Sequence, residues 1–299
     1  MWARINLLIT SFFFIHSTAL FSQYQIIVDN ASSLVRVGMN PHPTDDNDTI
    51  LAYTLMSAID HDDPDSIGFV ADKYRLKASN DLTKEKSWGA LTYILDRMLS
   101  DKNGKNVRKG DFLTEDLYHY FTDNGCESLK NYLVLKYELN NYRPRSVKEH
   151  INQRTFYDDF LMFNDPTRDK WDMTAEIMKT LPVKQGDKIV DMGCGFGYNT
   201  LRLSQLVGPT GMVYATDTEE TYAKYVADIM ARNGINNVKA IHTQSNKLGV
   251  EDKTDCIFIS SLYHIIYTWS REDERKDLLA SIKESLDEKK KFFLLFYMI

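Results

Sequence analysis

The sequence predicts an α/β fold, a doubly wound and mostly parallel sheet preceded by a helical N-terminal region. Three observations lead there. From about Lys170 onward, short apolar runs alternate with helix-length segments, the pattern of strands joined by crossover helices. A glycine-rich bend, Gly193-Cys194-Gly195-Phe196-Gly197, directly follows the first of those runs. The earlier part of the chain instead spaces its apolar residues at helical intervals.

The first residues read as an address. Arg4 supplies a positive charge, Ile5 to Ile15 an apolar stretch, and Ser17, Thr18, Ala19 and Ser22 small residues suited to cleavage. The stretch is short for a membrane span, which needs about 20 residues. Residues 1–22 are therefore expected to be a secretory signal, and the chain to be exported without a stable membrane span. An apolar N-terminal helix of a cytoplasmic protein is the alternative.

Residues 23–150 form the expected helical region. Asp46-Asn47-Asp48 offer N-caps before the stripe Ile50, Leu51, Leu55, Ala58 and Ile59. Trp88, Leu91, Ile94, Leu95 and Met98 repeat that spacing, as do Leu129, Tyr132, Leu133, Leu135 and Tyr137 beside Cys126. Such stripes face a core. The acidic run Asp60 to Asp65 lacks EF-hand spacing, since Pro64 stands where a ligand is needed, and reads as a helix end and a turn. No metal site is expected.

Residues 151–299 form the second unit. Trp171, Ala175, Met178 and Leu181 predict one helix, stopped by Pro182. Strands are expected at Lys188–Met192, Met212–Thr216, Val238–His242, Cys256–Ser260 and Lys291–Tyr297. Helices are expected at Asn199–Val207, Glu220–Asn233 and about Arg271–Leu286, with Lys289-Lys290-Lys291 a solvated turn before the last strand. Ligands of such sheets bind beyond the carboxyl ends of the strands.

Composition narrows the function. The 299 residues are 43% hydrophobic and 26% charged with a net charge of −6, and the basic residues are scattered among acids. That balance disfavours nucleic acid, whose binding calls for a basic face. The three cysteines, Cys126, Cys194 and Cys256, form no CxxC pair and are expected to be buried free thiols.

The bend carries the chemistry. Glycines after a first strand let the backbone turn tightly and let a ligand approach the main chain. Dinucleotide folds want GxGxxG, with glycine where this chain has Tyr198; the pattern here is GxGxG. Asp191, just before the bend, suits an ammonium group such as the amino acid end of S-adenosylmethionine (SAM). Twenty residues beyond Gly197 the second strand ends in Asp217, placed to accept two ribose hydroxyls. A glycine turn of another α/β fold, or a nicotinamide or flavin site, are the competing readings.

Ile189 to Gly197, with Val213-Tyr214-Ala215-Thr216-Asp217, resembles the first two motifs of the class I (Rossmann-like) SAM-dependent methyltransferases. The resemblance extends over roughly residues 150–299, including Asp165 to Trp171, which in similar proteins leads into the SAM domain. It implies a sheet order of 3-2-1-4-5, with Gly193, Gly195 and Gly197 lining the methyl donor and Asp217 holding its ribose. Where similar proteins carry an acid near the adenine, this chain has Gln244-Ser245, and Gln244 is the candidate there. Asp287 to Lys291 replaces the usual Pro-Gly-Gly turn. The fold of similar proteins continues past the strand in which this chain stops, so the reading expects a fold incomplete at its C-terminus.

Methyl transfer needs chiefly alignment of the acceptor, so catalytic residues are hard to read from sequence. The fourth strand ends in Ser260-Ser261-Leu262-Tyr263-His264, at the edge where an acceptor would sit. His264 is the candidate base and Tyr263 a candidate wall; a structural His capping a loop is the simpler reading. His242 is a weaker candidate. Tyr157, Phe160 and Phe163 fold over the donor or, more simply, pack against the core. The acceptor, a small molecule, lipid or protein side chain, has no readable code. An exported, non-catalytic binding or structural module of the same fold is the competing function.

Overall fold

The computed structural model describes residues 46–80, 87–103, 110–139 and 147–295. The expected signal segment lies outside them. One sheet organises the C-terminal half: β1 (Lys188–Met192), β2 (Met212–Asp217), β3 (Val238–His242), β4 (Thr254–Ser260) and β5 (Leu286–Leu295). Their order is β3-β2-β1-β4-β5, all parallel, as expected.

The central strands are buried on both faces, which explains their unbroken apolar runs. Alternation still sorts their side chains. Ile189, Val213, Cys256 and Phe258 pack on one face with Leu203 and Val207. Val190, Met192, Tyr214, Ile257 and Ile259 pack on the other with Leu278 and Ile282. The crossover helices are α8 (Tyr198–Val207), α9 (Glu220–Arg232) and α11 (Glu272–Ser285). Between β4 and α11 stands α10 (Tyr263–Trp269), a helix the apolar pattern did not anticipate.

Among the described residues seven helices precede the sheet, and the first five are α1 (Asp46–Asp60), α2 (Pro64–Asn80), α3 (Ser87–Asn103), α4 (Phe112–Tyr137) and α5 (Val147–Phe163). All three expected stripes lie on helices, and most of their members are buried. Ile59 and Met98 are half-buried, and Ile50 is 60% exposed because it faces away from Leu51 and Leu55. Asp63 accepts the amides of Asp65 and Ser66 at the start of α2, where Pro64 takes the first helical position. Asp111 caps α4 by accepting the Thr114 amide at 3.0 Å. Within α4 the backbone breaks at Asp123–Cys126, three of whose residues are left-handed.

Two expectations are corrected. The helix expected around residues 171–181 is two, α6 (Arg168–Asp172) and α7 (Thr174–Thr180), separated by the left-handed Met173 (φ 52°). Side chains fix that break: Asp169 accepts the Ala175 amide at 2.6 Å, and Asp172 accepts the Thr174 hydroxyl at 3.2 Å. Ala175 is consequently exposed. The last strand starts at Leu286, so Lys289-Lys290-Lys291 lies within β5 and not in a turn before it. Pairing explains both readings: two steps along β4, from Thr254 to Cys256, match five along β5, from Leu286 to Lys291. Those extra residues are the irregularity that the charged run marks.

The cysteines Cys126, Cys194 and Cys256 are buried free thiols. Cys256 pairs with Ile189 at the start of β1, whereas Cys194 lies beyond its end. No helix among the described residues is long and apolar enough to cross a membrane.

Candidate functional site

The bend between β1 and α8 is built on three left-handed glycines, Gly193 (φ 77°), Gly195 (φ 51°) and Gly197 (φ 84°). Its first amides turn sideways: Gly193 and Cys194 N–H both donate to the Thr216 carbonyl, at 2.8 and 3.0 Å. The bend is thereby tied to the end of β2. Asp217, the next residue, completes the tie by accepting the Gly195 amide on Oδ2 at 2.9 Å. Its other oxygen accepts the Glu219 amide at 2.9 Å. Burial raises the Asp217 pKa, and the Glu219 and Gly195 bonds pull it back. The Thr216 hydroxyl is buried with no hydrogen-bond partner among the described residues.

The three glycines face different surroundings. A methyl group on Gly193 would meet the Leu262 side chain at 2.8 Å; one on Gly195 would face the Phe163 ring at 3.5 Å. At Gly197 it would press on Val226 and Met230, both at 3.2 Å. Gly197 thus serves the close packing of the bend on α9, in addition to its left-handed turn into α8.

Asp191 stands below the bend, 2% exposed, and its Oδ2 accepts the Thr200 hydroxyl at 2.6 Å. Burial raises its pKa to about 6, opposed by Thr200 and by the positive charge of Arg168. Burial also holds the Cys194 thiol well above its ordinary range. That argues against a nucleophilic role, since the thiolate is the reactive form.

Phe196 points out of the sheet, into the helical region. It is fully buried, with ring centroids 4.7 Å from Phe160, 4.6 Å from Tyr222, 5.3 Å from Tyr225 and 5.4 Å from Phe156. Edge and tilted contacts of this kind are favoured by ring quadrupoles. Hydrogen bonds from α8 and α9 to the helical region surround the cluster. Tyr222 donates to Asp159 at 2.7 Å, Tyr225 to Asp116 at 2.8 Å, and Arg202 to Asp111 at 3.0 Å.

The remaining candidates lie around the same edge. Asp217 pairs with His242 across β2 and β3, and Thr243 N–H donates to the Asp217 carbonyl at 2.9 Å, which brings Gln244 to the end of β3. Gln244 is exposed, and its carbonyl accepts the Lys247 amide at 3.0 Å. His242 is exposed, with Nε2 3.2 Å from the Thr218 carbonyl. Tyr263 and His264 open α10 at the carboxyl end of β4; their side chains lie outside the described residues. Phe160 and Tyr157 belong to the helical core, while Phe163 reaches the bend.

Three residues of the site were not singled out from sequence: Thr200, Leu262 and Arg168. A hydroxyl in the first turn of the helix after a bend, nine positions past the buried acid, is a usable signal for Thr200. Leu262 and Arg168 arrive through tertiary contacts that spacing does not carry.

Residues 189–289 match the family model described as a methyltransferase domain. Over this segment, about a third of the chain, the protein is similar to SAM-dependent methyltransferases. The methyltransferase segment is similar to demethylmenaquinone methyltransferase of Geobacillus stearothermophilus, 33% identical over 85 residues, covering 28% of this chain and 36% of that one. It is also similar to protein-L-isoaspartate O-methyltransferase of Methanosarcina mazei, 29% identical over 142 residues, covering 43% and 58%. A solved SAM dependent methyltransferase from Aquifex aeolicus is 25% identical with a TM-score of 0.38, over 44% of this chain and 66% of that one. The chain thus spans about a third to just over half of the curated relatives it matches.

Proposed function

We propose that this chain binds SAM at the crevice formed by the 193–197 bend and the tips of β1 and β2, and methylates a small molecule or protein side chain. The observation that carries the reading is the Asp217 carboxylate held against the Gly195 amide. It puts an acceptor-only group at the mouth of a bend whose central residue has no side chain, the acceptor that the two hydroxyls of a ribose diol want. The residues suit the group. The Asp217 carboxylate takes backbone amides from Glu219, Gly195 and Thr218 and keeps acceptor capacity beyond them, and the buried Thr216 hydroxyl at the same strand tip has capacity unused.

When bound, SAM supplies a methyl carbon already activated by its sulfonium. The work left to the chain is binding and alignment, which contributes on the order of 7–11 kcal/mol in well-oriented reactions. In this reading Asp217 accepts the ribose hydroxyls, Gly193 and Gly195 give main-chain approach, and Gln244 hydrogen-bonds the adenine edge. Asp191 supports the bend from beneath through Thr200 and lends negative charge to the ammonium end. His264 and Tyr263 enter through their place at the end of β4; His264 takes the acceptor's proton and Tyr263 walls the acceptor.

Calorimetric titration with SAM, followed by incubation of the protein with labelled SAM and a cell extract, tests the proposal. Saturable binding and a discrete labelled product are expected. No binding at millimolar SAM by folded protein sinks it. The pattern of Arg4 and Ile5 to Ile15 supports export of the chain. N-terminal sequencing of the protein from its native host is expected to start near Ala19 or Ser22, and a retained Met1 overturns that part.

A further inference from the structure

The turn between α5 and α6 joins the helical region to the bend through one continuous set of contacts. Phe163, the last residue of α5, faces the side of Gly195 that lacks a Cβ. Arg168, 6% exposed, donates from Nη1 to the Phe163 carbonyl at 3.1 Å, and its guanidinium carbon is 5.5 Å from the Phe163 ring centre. The same guanidinium lies 4.2 Å from the Tyr198 ring, at the far end of the bend. Arg202 lies 3.4 Å from that ring. Arg168 is held in turn by Asp172, whose carboxylate accepts its Nε–H at 2.9 Å.

The far side of the turn is anchored as firmly. Asp165, 1% exposed, accepts the Thr167 amide and hydroxyl at 2.7 and 2.8 Å. Its carboxylate lies against Gly89 of α3, so close that a Cβ there would come within 2.4 Å. Phe163 therefore has little freedom to swing away. A guanidinium is the side chain suited to such a place, because its plane stacks on rings while its fork donates in fixed directions.

We infer that Phe163 is a wall of the methyl-donor site and that Arg168 is the residue that positions it. Arg168 acts through Phe163 and Tyr198 and is a positioning residue. The inference rests on reading the bend as the SAM site, because what Phe163 covers is the open face of Gly195.

SAM affinity measured by calorimetry on the full chain tests it, with circular dichroism and thermal unfolding as folding controls. Phe163→Ala is expected to weaken SAM about tenfold, and Phe163→Leu, which refills part of the volume, about threefold. Arg168→Gln is expected to weaken it to a similar degree, and Arg168→Lys less. The double variant Phe163→Ala/Arg168→Gln separates positioning from mere support. If Arg168 works through Phe163, it binds SAM no worse than Phe163→Ala alone. Losses that multiply overturn the positioning role. Affinity unchanged or tighter in folded Phe163→Ala overturns the wall while leaving the donor site standing. Failure of the wild-type chain to bind SAM removes both readings.

Discussion

The Asp217 carboxylate accepts the Gly195 amide at 2.9 Å. The tip of β2 and the bend leaving β1 are thereby one rigid corner, and the acid that would meet a ribose also shapes the loop beneath it. Substitutions at Asp217 touch binding and loop geometry together.

Asp217→Ala is expected to weaken SAM binding at least tenfold, about 1.4 kcal/mol. Asp217→Asn, which keeps an acceptor for the Gly195 amide, should preserve more of the loop and lose less. Calorimetry on both variants checks this, and equal affinity for wild type and Asp217→Ala would refute the ribose role.

Gly197→Ala combines a left-handed backbone with contacts to Val226 and Met230 at 3.2 Å. Conformation alone costs about 1 kcal/mol, and the crowding adds to it. Urea unfolding is expected to show a loss of about 1–3 kcal/mol.

Thr200→Val removes the hydroxyl bound to buried Asp191 and keeps the shape. Leaving a buried carboxylate without that bond costs roughly 1–3 kcal/mol. The loss depends on pH. Asp191 has its pKa raised to about 6 in the folded chain, above its unfolded value, so its ionised form is the costly one. Urea unfolding is therefore expected to show a larger loss at pH 8 than at pH 5, where the acid is mostly protonated. A larger loss at pH 5 would mean that the hydroxyl mainly serves the neutral acid.

Asp165→Asn isolates a second buried acid, whose pKa burial also raises to about 6. In the wild type the folded state holds this proton between the unfolded and folded pKa values, so stability from this group rises as pH falls from about 7 to 4. The wild type is expected to gain on Asp165→Asn over that window, by on the order of 2–3 kcal/mol. Denaturant melts at several pH values measure the difference; a wild type that loses ground to Asp165→Asn as pH falls contradicts the raised pKa.

The central strands were legible because burial on both faces leaves long apolar runs, and because glycine or acid marks where β1 and β2 end. The twenty-residue step from Gly197 to Asp217 located the corner for the same reason: one helix and one strand fill it. Other elements hide their cause in distant partners. The segment Tyr263–Trp269 is as apolar as the strand before it, and its helix is invisible to periodicity at that length. α2 buries Ile67, Val70, Ala71 and Tyr74, but exposed Phe69 and Leu76 blur that stripe. The break at Met173 follows from Asp169 and Asp172 finding partners across the turn, which composition does not announce.

Phe196 gives the two halves of the chain a common fate. A glycine bend whose one ring is mortared between Phe156, Phe160, Tyr222 and Tyr225 is not a freestanding part. Sever the chain just behind α5, and that ring and its neighbours on α9 would stand in water as an oily scar. Heat damage that begins in the upstream helices would then reach the loop long before the sheet itself gave way.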